Sequence, residues 1–398
     1  MRKNNILVAA AWVLVAAVVL SSLVILVGGG KLHLVDGEAY EMLKRYAKLE
    51  AARSTVAENY YREVDENALM DGAIRGMLES LGDPYSLYFT PEEMTRHSQD
   101  IEGSYDGLGI LLLGNENGGL EVLRVYEGSP ADEAGVKAGD VITAIDGNAV
   151  DTENLEAAIQ QLKGENGTQV LLRLQRDSGE AELSITRNSV HYSNVASAML
   201  PGNIGYIAIF QFSGDDVEAF SEALNGLQDA GMAGLVIDLR NNPGGLLDDV
   251  VAIADEILPE GLIVYTEDRA GNRVEYFSEG EYCDVPLALL INGMSASASE
   301  ILAGAVQDWS RGAVIGSRSY GKGVVQALLS FPEDGSGMQY TFSSYFTPQG
   351  RSIHGEGVTP DIIAEAGEDM RTLPGIPDIE NDAQLRSAVS WLQTEIGE

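Results

Sequence analysis

The sequence is poor in cysteine and in basic residues, and each shortage excludes a class of protein. The single cysteine, Cys283, has no partner for an internal disulfide and excludes a zinc site built from cysteines. Lysine and arginine number 25 against 61 aspartates and glutamates, which gives a formal net charge of −36. Because so acidic a chain repels phosphates, we expect no nucleic-acid partner.

Histidine is also scarce, and none of the four histidines lies in a motif beside a candidate nucleophile: His33, His97, His191 and His354. The sequence therefore disfavours a Ser-His-Asp hydrolase. His354 comes closest to the motifs described below, and a loop or surface position is the better interpretation of it. No pair of residues has the spacing of metal ligands, so we predict no metal site.

An apolar run of 22 residues, 6–27, follows Arg2 and Lys3 at the amino terminus. About 20 apolar residues span a bilayer as a helix, whereas a cleavable signal peptide usually has a shorter apolar core and an Ala-x-Ala-like site. We therefore expect residues 1–30 to form an uncleaved transmembrane anchor, with a removed signal as the alternative. The basic flank predicts a single-pass protein of the cell membrane with residues 31–398 on the extracytoplasmic side.

The remaining chain is too long for one compact domain, and its patterning predicts an α/β multidomain protein. Residues 31–99 have apolar residues at helical spacing. Residues 100–188 contain short strand-like runs with Gly-rich turns and one helical segment, 154–162, which predicts a separate β-rich module. Residues 189–372 alternate buried strands with helical segments. Residues 373–398 are predicted to be a tail or a terminal helix.

Three serines, Ser295, Ser297 and Ser299, lie where a buried strand gives way to a helix. A nucleophile at such a turn gains from the free N–H groups of the helix N-terminus, which favour developing negative charge. Serines at a helix start are more often caps and turn formers, so the string alone does not select a nucleophile.

A lysine between two glycines, Lys322, is accessible from both sides. In a partly apolar pocket its pKa would fall, and the neutral amine could act as a general base. If residues 322–326 are extended, Gln326 shares a face with Lys322 and its amide oxygen could orient the amine. The alternative is a solvated loop lysine.

A turn rich in glycine, residues 238–245, follows another buried strand. Glycines permit backbone N–H groups to point into a cavity, as in an oxyanion hole. The alternative is an ordinary Pro-Gly turn.

Together these three segments resemble the carboxyl-terminal processing proteases, also called tail-specific proteases. The segment 357–361 is similar as well, and the resemblance runs from about residue 40 to residue 365. It implies an α/β serine protease domain in which Ser297 is the nucleophile and Lys322, 25 positions later, is the general base. It further implies that Gln326 supports the lysine and that N–H groups of Gly244 and Ala298 form the oxyanion hole, with Gly245 as a substitute for Gly244.

The segment 107–110, Gly-Leu-Gly-Ile, resembles the carboxylate-binding loop of PDZ domains. The downstream pattern in residues 134–140 strengthens this resemblance, which implies that residues 100–188 are a PDZ domain, β-rich with two helices. It implies that N–H groups of Leu108, Gly109 and Ile110 bind a terminal carboxylate while the peptide adds as a strand to the sheet edge.

The resemblance thus predicts a serine endopeptidase that needs no cofactor and cuts proteins whose C-terminal tails its PDZ domain captures. Family members process or degrade extracytoplasmic proteins, sometimes within signalling cascades. The predicted partners are thus protein substrates and the membrane, and the sequence leaves open whether the protein also forms a homo-oligomer. The alternative is a catalytically silent PDZ scaffold that binds C-termini, against which the intact Ser297, Lys322 and Gln326 argue.

Overall fold

The computed structural model describes residues 23–28, 31–114, 118–126, 128–150, 155–176, 178–365 and 377–397. For residues 23–28, 31–36, 155 and 156 it describes the backbone alone. The chain divides into two compact units, Met1–Gly82 and Asp83–Glu398.

The first unit contains a β-hairpin followed by two helices. Strand β1 (Leu23–Gly28) pairs antiparallel with β2 (Lys31–Asp36). Helix α1 (Gly37–Asn59) follows directly, and α2 (Glu66–Glu79) begins after Asp65. The Asp65 carboxylate accepts two N–H groups of the first turn of α2, which satisfies donors that the helix itself leaves free.

The first unit contradicts the predicted transmembrane helix. Residues 1–22 of the expected anchor lie outside the described residues, and residues 23–27 belong to strand β1. These last residues are rich in valine and isoleucine, which suit an extended backbone, and they pair with β2. Helix α1 is long enough but carries charges along its whole length. No helix in the described residues is both long and apolar enough to cross a bilayer, so the prediction of the anchor, and of the single-pass membrane localisation that rested on it, is wrong.

The second unit begins with a short connection to the β-rich module. It comprises β3 (Leu87–Phe89), α3 (Pro91–Ile101) and β4 (Ser104–Gly107). The start of α3 is fixed by Thr90, whose hydroxyl accepts the N–H of Glu93 while the Glu93 carboxylate accepts the N–H of Thr90.

The β-rich module is a mixed-length antiparallel sheet with two helices. Its strands are ordered β10-β9-β7-β6-β5, with β8 beside β7, so that β5 lies at the edge. Buried residues alternate along β9, as expected of a sheet with one face on the core. The bounds are β5 (Ile110–Gly114), β6 (Leu120–Val125), α4 (Pro130–Glu133), β7 (Val141–Ile145), β8 (Asn148–Ala149), α5 (Leu155–Leu162), β9 (Gln169–Arg176) and β10 (Gly179–Thr186).

The chain leaves this module through β11 (Asn188–His191), which pairs antiparallel with β4. The incoming strand β4 and the outgoing strand β11 therefore form a two-stranded ribbon at the boundary of the module.

The remaining residues build a six-stranded sheet ordered β12-β13-β14-β17-β18-β21, parallel except for β12. Alternate residues of its central strands face opposite layers. Leu235 and Ile237 pack with α6, α7 and α8, while Val236 packs with α9. The bounds are β12 (Val195–Leu200), β13 (Ile204–Ile209), α6 (Asp216–Asp229), β14 (Gly234–Asp238), α7 (Leu247–Asp255), β17 (Leu287–Ile291), α8 (Ala298–Asp308), β18 (Gly312–Gly316), β21 (Ile362–Ile363) and α9 (Ala383–Ile396).

A second sheet, ordered β16-β15-β20-β19 with β3 beside β20, completes this unit. Its remaining strands are β15 (Gly261–Asp268), β16 (Arg273–Ser278), β19 (Val324–Ser330) and β20 (Gly337–Phe346). The neighbouring parallel strands β14 and β17 end at the same edge of the six-stranded sheet, so the glycine-rich turn and the serine string, which follow these two strands, lie side by side.

Candidate active site

The serine string forms a strained turn between β17 and α8. Ser297 has φ 54° and ψ −115°, a combination that residues with a side chain seldom adopt and that costs roughly 1–3 kcal/mol. The next residue, Ala298, opens the helix. Such a turn presents the side chain of Ser297 at the end of a sheet, beside the free N–H groups of a helix N-terminus.

Hydrogen bonds distinguish the three serines, among which the serine string alone did not select a nucleophile. The hydroxyl of Ser295 donates to the carbonyl of Leu239 at 2.7 Å, and that of Ser299 donates to the carbonyl of Asn242 at 3.0 Å. Both side chains are fully buried and brace the string against the glycine-rich turn. Ser297, by contrast, lines a cavity.

The cavity has a volume of about 580 Å³ and brings the three sequence-predicted catalytic residues together. Ser297, Lys322 and Gln326 all line it, together with Gly245 and Ala298. Much of the remaining wall is apolar: Ile101, Phe212, Leu246, Leu247, Val324, Val325 and Leu328. This site therefore has room for a peptide segment next to Ser297.

Lys322 is a partly buried lysine rather than a solvated one. Its Nζ lies 4.8 Å from the centroid of the Tyr85 ring. Burial lowers the pKa of Lys322, and the negative charges of Asp83 and Glu300 oppose that shift without cancelling it. The site therefore favours the neutral amine more than water does.

Gln326 lies on β19, which begins at Val324 and shifts its register against β20 between Val325 and Gln326. The simple alternation expected for residues 322–326 is therefore interrupted. The Gln326 side chain donates to the hydroxyl of Thr341 at 3.2 Å. Its predicted support of Lys322 stays a prediction.

Glu300, which the sequence reasoning missed, ties the two motifs together. Its fully buried carboxylate accepts the N–H of Ser297 at 2.9 Å and the N–H of Lys322 at 2.8 Å. It also accepts the N–H of Gly321 and the hydroxyl of Ser319. An acidic residue three positions after a serine at a helix start is the capping pattern, and this was the available signal.

Tyr345 makes a second connection between the same two segments. Its hydroxyl lies 3.1 Å from the carbonyl oxygen of Ser297 and 2.6 Å from that of Lys322. The side chain is buried, and burial raises its pKa well above the usual range, so the hydroxyl stays protonated. No local pattern signals this residue, because it lies on β20, far along the chain from Ser297.

The glycine-rich turn packs directly against the serine string. A Cβ atom on Gly244 would lie 2.7 Å from the Cβ of Ser297, and φ is 105° at this position, so both space and backbone demand glycine. The N–H of Gly244 donates to the Asn242 side chain at 2.8 Å, whereas Gly245 lines the cavity with Ala298. The assignment of Gly244 to the oxyanion hole stays a prediction, and Gly245 is the turn residue placed in the cavity wall.

Arg240 of this turn belongs to a buried ionic network that the sequence did not reveal. The Arg240 guanidinium contacts the carboxylates of Asp238 and Asp382 at 2.6 and 2.7 Å and the Gln384 side chain at 3.1 Å. The two carboxylates raise the pKa of Arg240 despite its burial. The network fastens the start of α9 to the turn.

Two of the four histidines lie near the motifs of this site, one exposed and one in the cavity wall. His354 is exposed and its backbone packs against Gly323, where a Cβ atom would overlap it. His97 lines the cavity, stacked on Phe89 with ring centroids 4.5 Å apart, and among the described residues its Nε2 has no hydrogen-bond partner. The sequence gave no sign that His97 approaches this cavity, since it lies on α3, two hundred positions from Ser297.

A second cavity, of about 230 Å³, lies between the edge strand β5 and helix α5. It is lined by Leu108 and Ile110 of the segment predicted to bind a carboxylate and by Ile159 and Leu162 of the helix. Gly109 has φ 78°, and a Cβ atom there would overlap Ser129, so the loop requires glycine. An apolar groove beside a free strand edge is suited to an extended peptide.

Comparison with known proteins agrees with this arrangement. The family model for peptidase family S41 matches residues 203–364, and that for a PDZ domain matches residues 121–176. A model for the N-terminal domain of the activating protease CtpB matches residues 31–93.

Two relatives extend the match over most of the chain. The carboxy-terminal processing protease CtpA of Bacillus subtilis (strain 168) is 33% identical over 389 residues, which cover 97% of this chain and 82% of that protein. The solved structure of a photosystem II D1 C-terminal processing protease is 32% identical, with a TM-score of 0.50 over 86% of this chain and 94% of that chain. The resemblance expected from the sequence is thereby confirmed, and the chain belongs to the carboxy-terminal processing proteases, the serine proteases of peptidase family S41.

Proposed function

We propose that this protein is a Ser–Lys endopeptidase that cleaves protein substrates whose C-terminal tails its PDZ domain holds. The observation that carries the catalytic part is the placement of Ser297 and Lys322 on one cavity, with their backbone N–H groups bound by the same oxygen of Glu300. A carboxylate shared in this way fixes the distance between the two segments.

In the proposed reaction, the neutral amine of Lys322 takes the proton of the Ser297 hydroxyl, and Ser297 Oγ attacks the peptide carbonyl. The tetrahedral oxyanion binds N–H groups of Ala298 and of the glycine-rich turn. Protonated Lys322 gives its proton to the leaving amine. Lys322 then deprotonates a water molecule that attacks the acyl-enzyme, and the protonated lysine gives that proton to Ser297 Oγ as the acyl bond breaks. The lowered pKa of Lys322 supports this role, because a general base must lose its proton near the working pH.

Tail capture is supported by the groove between β5 and α5. The N–H groups of Leu108, Gly109 and Ile110 would bind the terminal carboxylate, and the tail would pair with the free edge of β5. The apolar lining of this groove favours tails that end in apolar residues.

The test compares cleavage of an unfolded protein with an apolar C-terminus by the wild type and by single variants. Ser297→Ala and Lys322→Ala should each lower kcat by a factor of about 10⁴ or more, as for members of other nucleophile–base pairs. The exposed Ser330 and Lys137 offer matched controls, and Ser330→Ala and Lys137→Ala should cleave normally.

A third variant, His97→Ala, separates the lysine from the histidine that lines the same cavity. Retained cleavage in His97→Ala, together with loss in Lys322→Ala, supports the lysine as the base. The reverse result would overturn the Ser–Lys assignment. Binding of tails without cleavage under any condition would favour the silent scaffold.

A further inference from the structure

The polar end of the tail-binding groove is occupied by a residue of this chain. The N–H of Gly109, one of the donors proposed to bind a tail carboxylate, donates to the hydroxyl oxygen of Tyr105 at 3.0 Å. The N–H of Ile110 also lies close enough to this hydroxyl to lower the pKa of Tyr105. The Tyr105 side chain lines the same 230 Å³ cavity as Leu108 and Ile110. A phenol oxygen therefore lies where a carboxylate oxygen would lie.

The surroundings hold the Tyr105 ring in this place. A Cβ atom on Gly107 would overlap the ring, so the glycine leaves room for it. The ring of Tyr192 lies 5.8 Å away, and the Nζ of Lys163 lies 5.4 Å from the Tyr105 centroid. The ring is thus packed on several sides, and its hydroxyl points at the loop because of that packing.

Tyr105 also belongs to the ribbon through which the chain enters and leaves the PDZ domain. It lies on β4, directly opposite Val190 of β11, and Tyr192 follows β11. The N–H of Tyr192 donates to the carbonyl of Gly103 at 3.1 Å. The wall of the groove is therefore built partly from the connection to the protease domain.

We propose that Tyr105 is an internal competitor of the substrate tail: its hydroxyl fills the carboxylate site, and a tail binds by displacing it. The inference rests on the proposed tail capture by this loop. Tyr105 lies on the ribbon that connects the two domains. Its displacement by a tail therefore changes the contacts of this connecting segment.

The competition favours a free carboxylate over other acceptors. Burial raises the pKa of Tyr105 more than the two N–H donors lower it, so the phenol is neutral near pH 7. Hydrogen bonds to a charged acceptor are roughly twice as strong as those to a neutral one. A carboxylate therefore displaces the phenol, whereas a C-terminal amide gains little.

The experiment measures tail binding by fluorescence anisotropy in full-length protein carrying Ser297→Ala, which prevents cleavage. The probe is a labelled peptide with an apolar C-terminal residue, used as the free acid and as the C-terminal amide. Removal of one competing neutral hydrogen bond by Tyr105→Phe should tighten binding of the free acid about five- to tenfold, and the free acid should bind more tightly than the amide with or without the Tyr105 hydroxyl. Tyr340, an exposed tyrosine outside the groove, provides the control, and Tyr340→Phe should leave the affinity for the free acid unchanged.

The outcomes separate this inference from the proposed tail capture. If the free acid binds in preference to the amide but Tyr105→Phe binds it no more tightly, the competition is refuted and tail capture stands. If the free acid binds no more tightly than the amide, both in the Ser297→Ala protein and after the addition of Tyr105→Phe, the competition and the tail capture are both refuted. The amide resonance of Gly109 in the Ser297→Ala protein provides a second measurement that needs no variant at Tyr105. A shift of that resonance on adding the free acid, and not the amide, supports displacement, and an unchanged resonance opposes it.

Discussion

Glu300 accepts the backbone N–H of Ser297 with the same carboxylate oxygen that accepts the N–H of Lys322, at 2.9 and 2.8 Å. The strained turn of Ser297 and the loop of Lys322 thus share one buried anion. Its other oxygen accepts the N–H of Gly321 and the hydroxyl of Ser319. We expect this carboxylate to act on catalysis through position, without touching the substrate.

The first prediction concerns Glu300→Gln, which keeps the shape but replaces one acceptor oxygen with a donor. The amide would meet N–H groups instead of accepting them, so we expect kcat to fall about 10- to 100-fold and the free energy of unfolding to fall by about 2 kcal/mol. Steady-state cleavage and urea unfolding measure the two effects. The exposed Glu356 provides the control, Glu356→Gln, which should change neither. Full activity in Glu300→Gln would contradict the positioning role.

The second prediction concerns pH. The base must be neutral, and burial lowers the pKa of Lys322, so kcat/KM should rise about tenfold per pH unit below that pKa and level off above it. The kinetic pKa should lie below about 10.4, the ordinary value for lysine. A profile that is flat between about pH 6 and 9, measured with the wild type, would contradict this role of Lys322.

The same lowered pKa predicts a stability effect. The unfolded chain holds the Lys322 proton more tightly than the folded chain does, so stability should increase as the pH rises from the folded to the unfolded pKa. Lys322→Met removes the unfavourable burial of a charged amine, so we expect an inactive protein with a higher Tm than the wild type at pH 7. Lys137→Met, at an exposed position, should leave Tm unchanged. A lower Tm in Lys322→Met would show that the charged amine is stabilised in the folded chain.

A further prediction concerns the contact between Gly244 and Ser297. Gly244→Ala adds a Cβ atom 2.7 Å from that of Ser297 at φ 105°, so the serine turn must shift. Because small displacements of a nucleophile are costly, we expect kcat to fall at least 100-fold. Gly271 has φ 82° and open space around it, which makes Gly271→Ala a control for backbone strain alone. That control should cost about 1 kcal/mol of stability and no activity.

The buried network at Arg240 leads to a prediction at the far end of the chain. Asp382→Asn leaves Arg240 with one fewer charged partner and should destabilise the protein by about 3 kcal/mol, because a buried charge is then incompletely paired. Thermal unfolding measures this effect. Glu380→Gln, at a neighbouring exposed position, should have no effect. Equal Tm values for the two variants would show that the network does not fasten α9.

The sequence by itself contained the family and the three residues around which the site is proposed. Local patterns were sufficient there, because the strand-to-helix serine string, the glycine-flanked lysine and the glycine-rich turn each lie within ten residues. The capping pattern from Ser297 to Glu300 was equally local and was overlooked. The apolar run at residues 6–27 misled, since hydrophobicity alone did not distinguish a helix from the strand that residues 23–28 form with residues 31–36.

Tertiary structure alone decided the rest. Pairing of β3 with β20 accompanies the placement of Tyr85 beside Lys322, and Tyr345 joins two segments that are distant in sequence. Which of Ser295, Ser297 and Ser299 faces the cavity depends on carbonyl groups of another turn. The sequence likewise did not predict the direction of the Gly244 N–H or the position of the Tyr105 hydroxyl. The physical reason is that side-chain periodicity depends on residues close in sequence. The partners of these hydrogen bonds depend on packing between segments that are far apart in the chain.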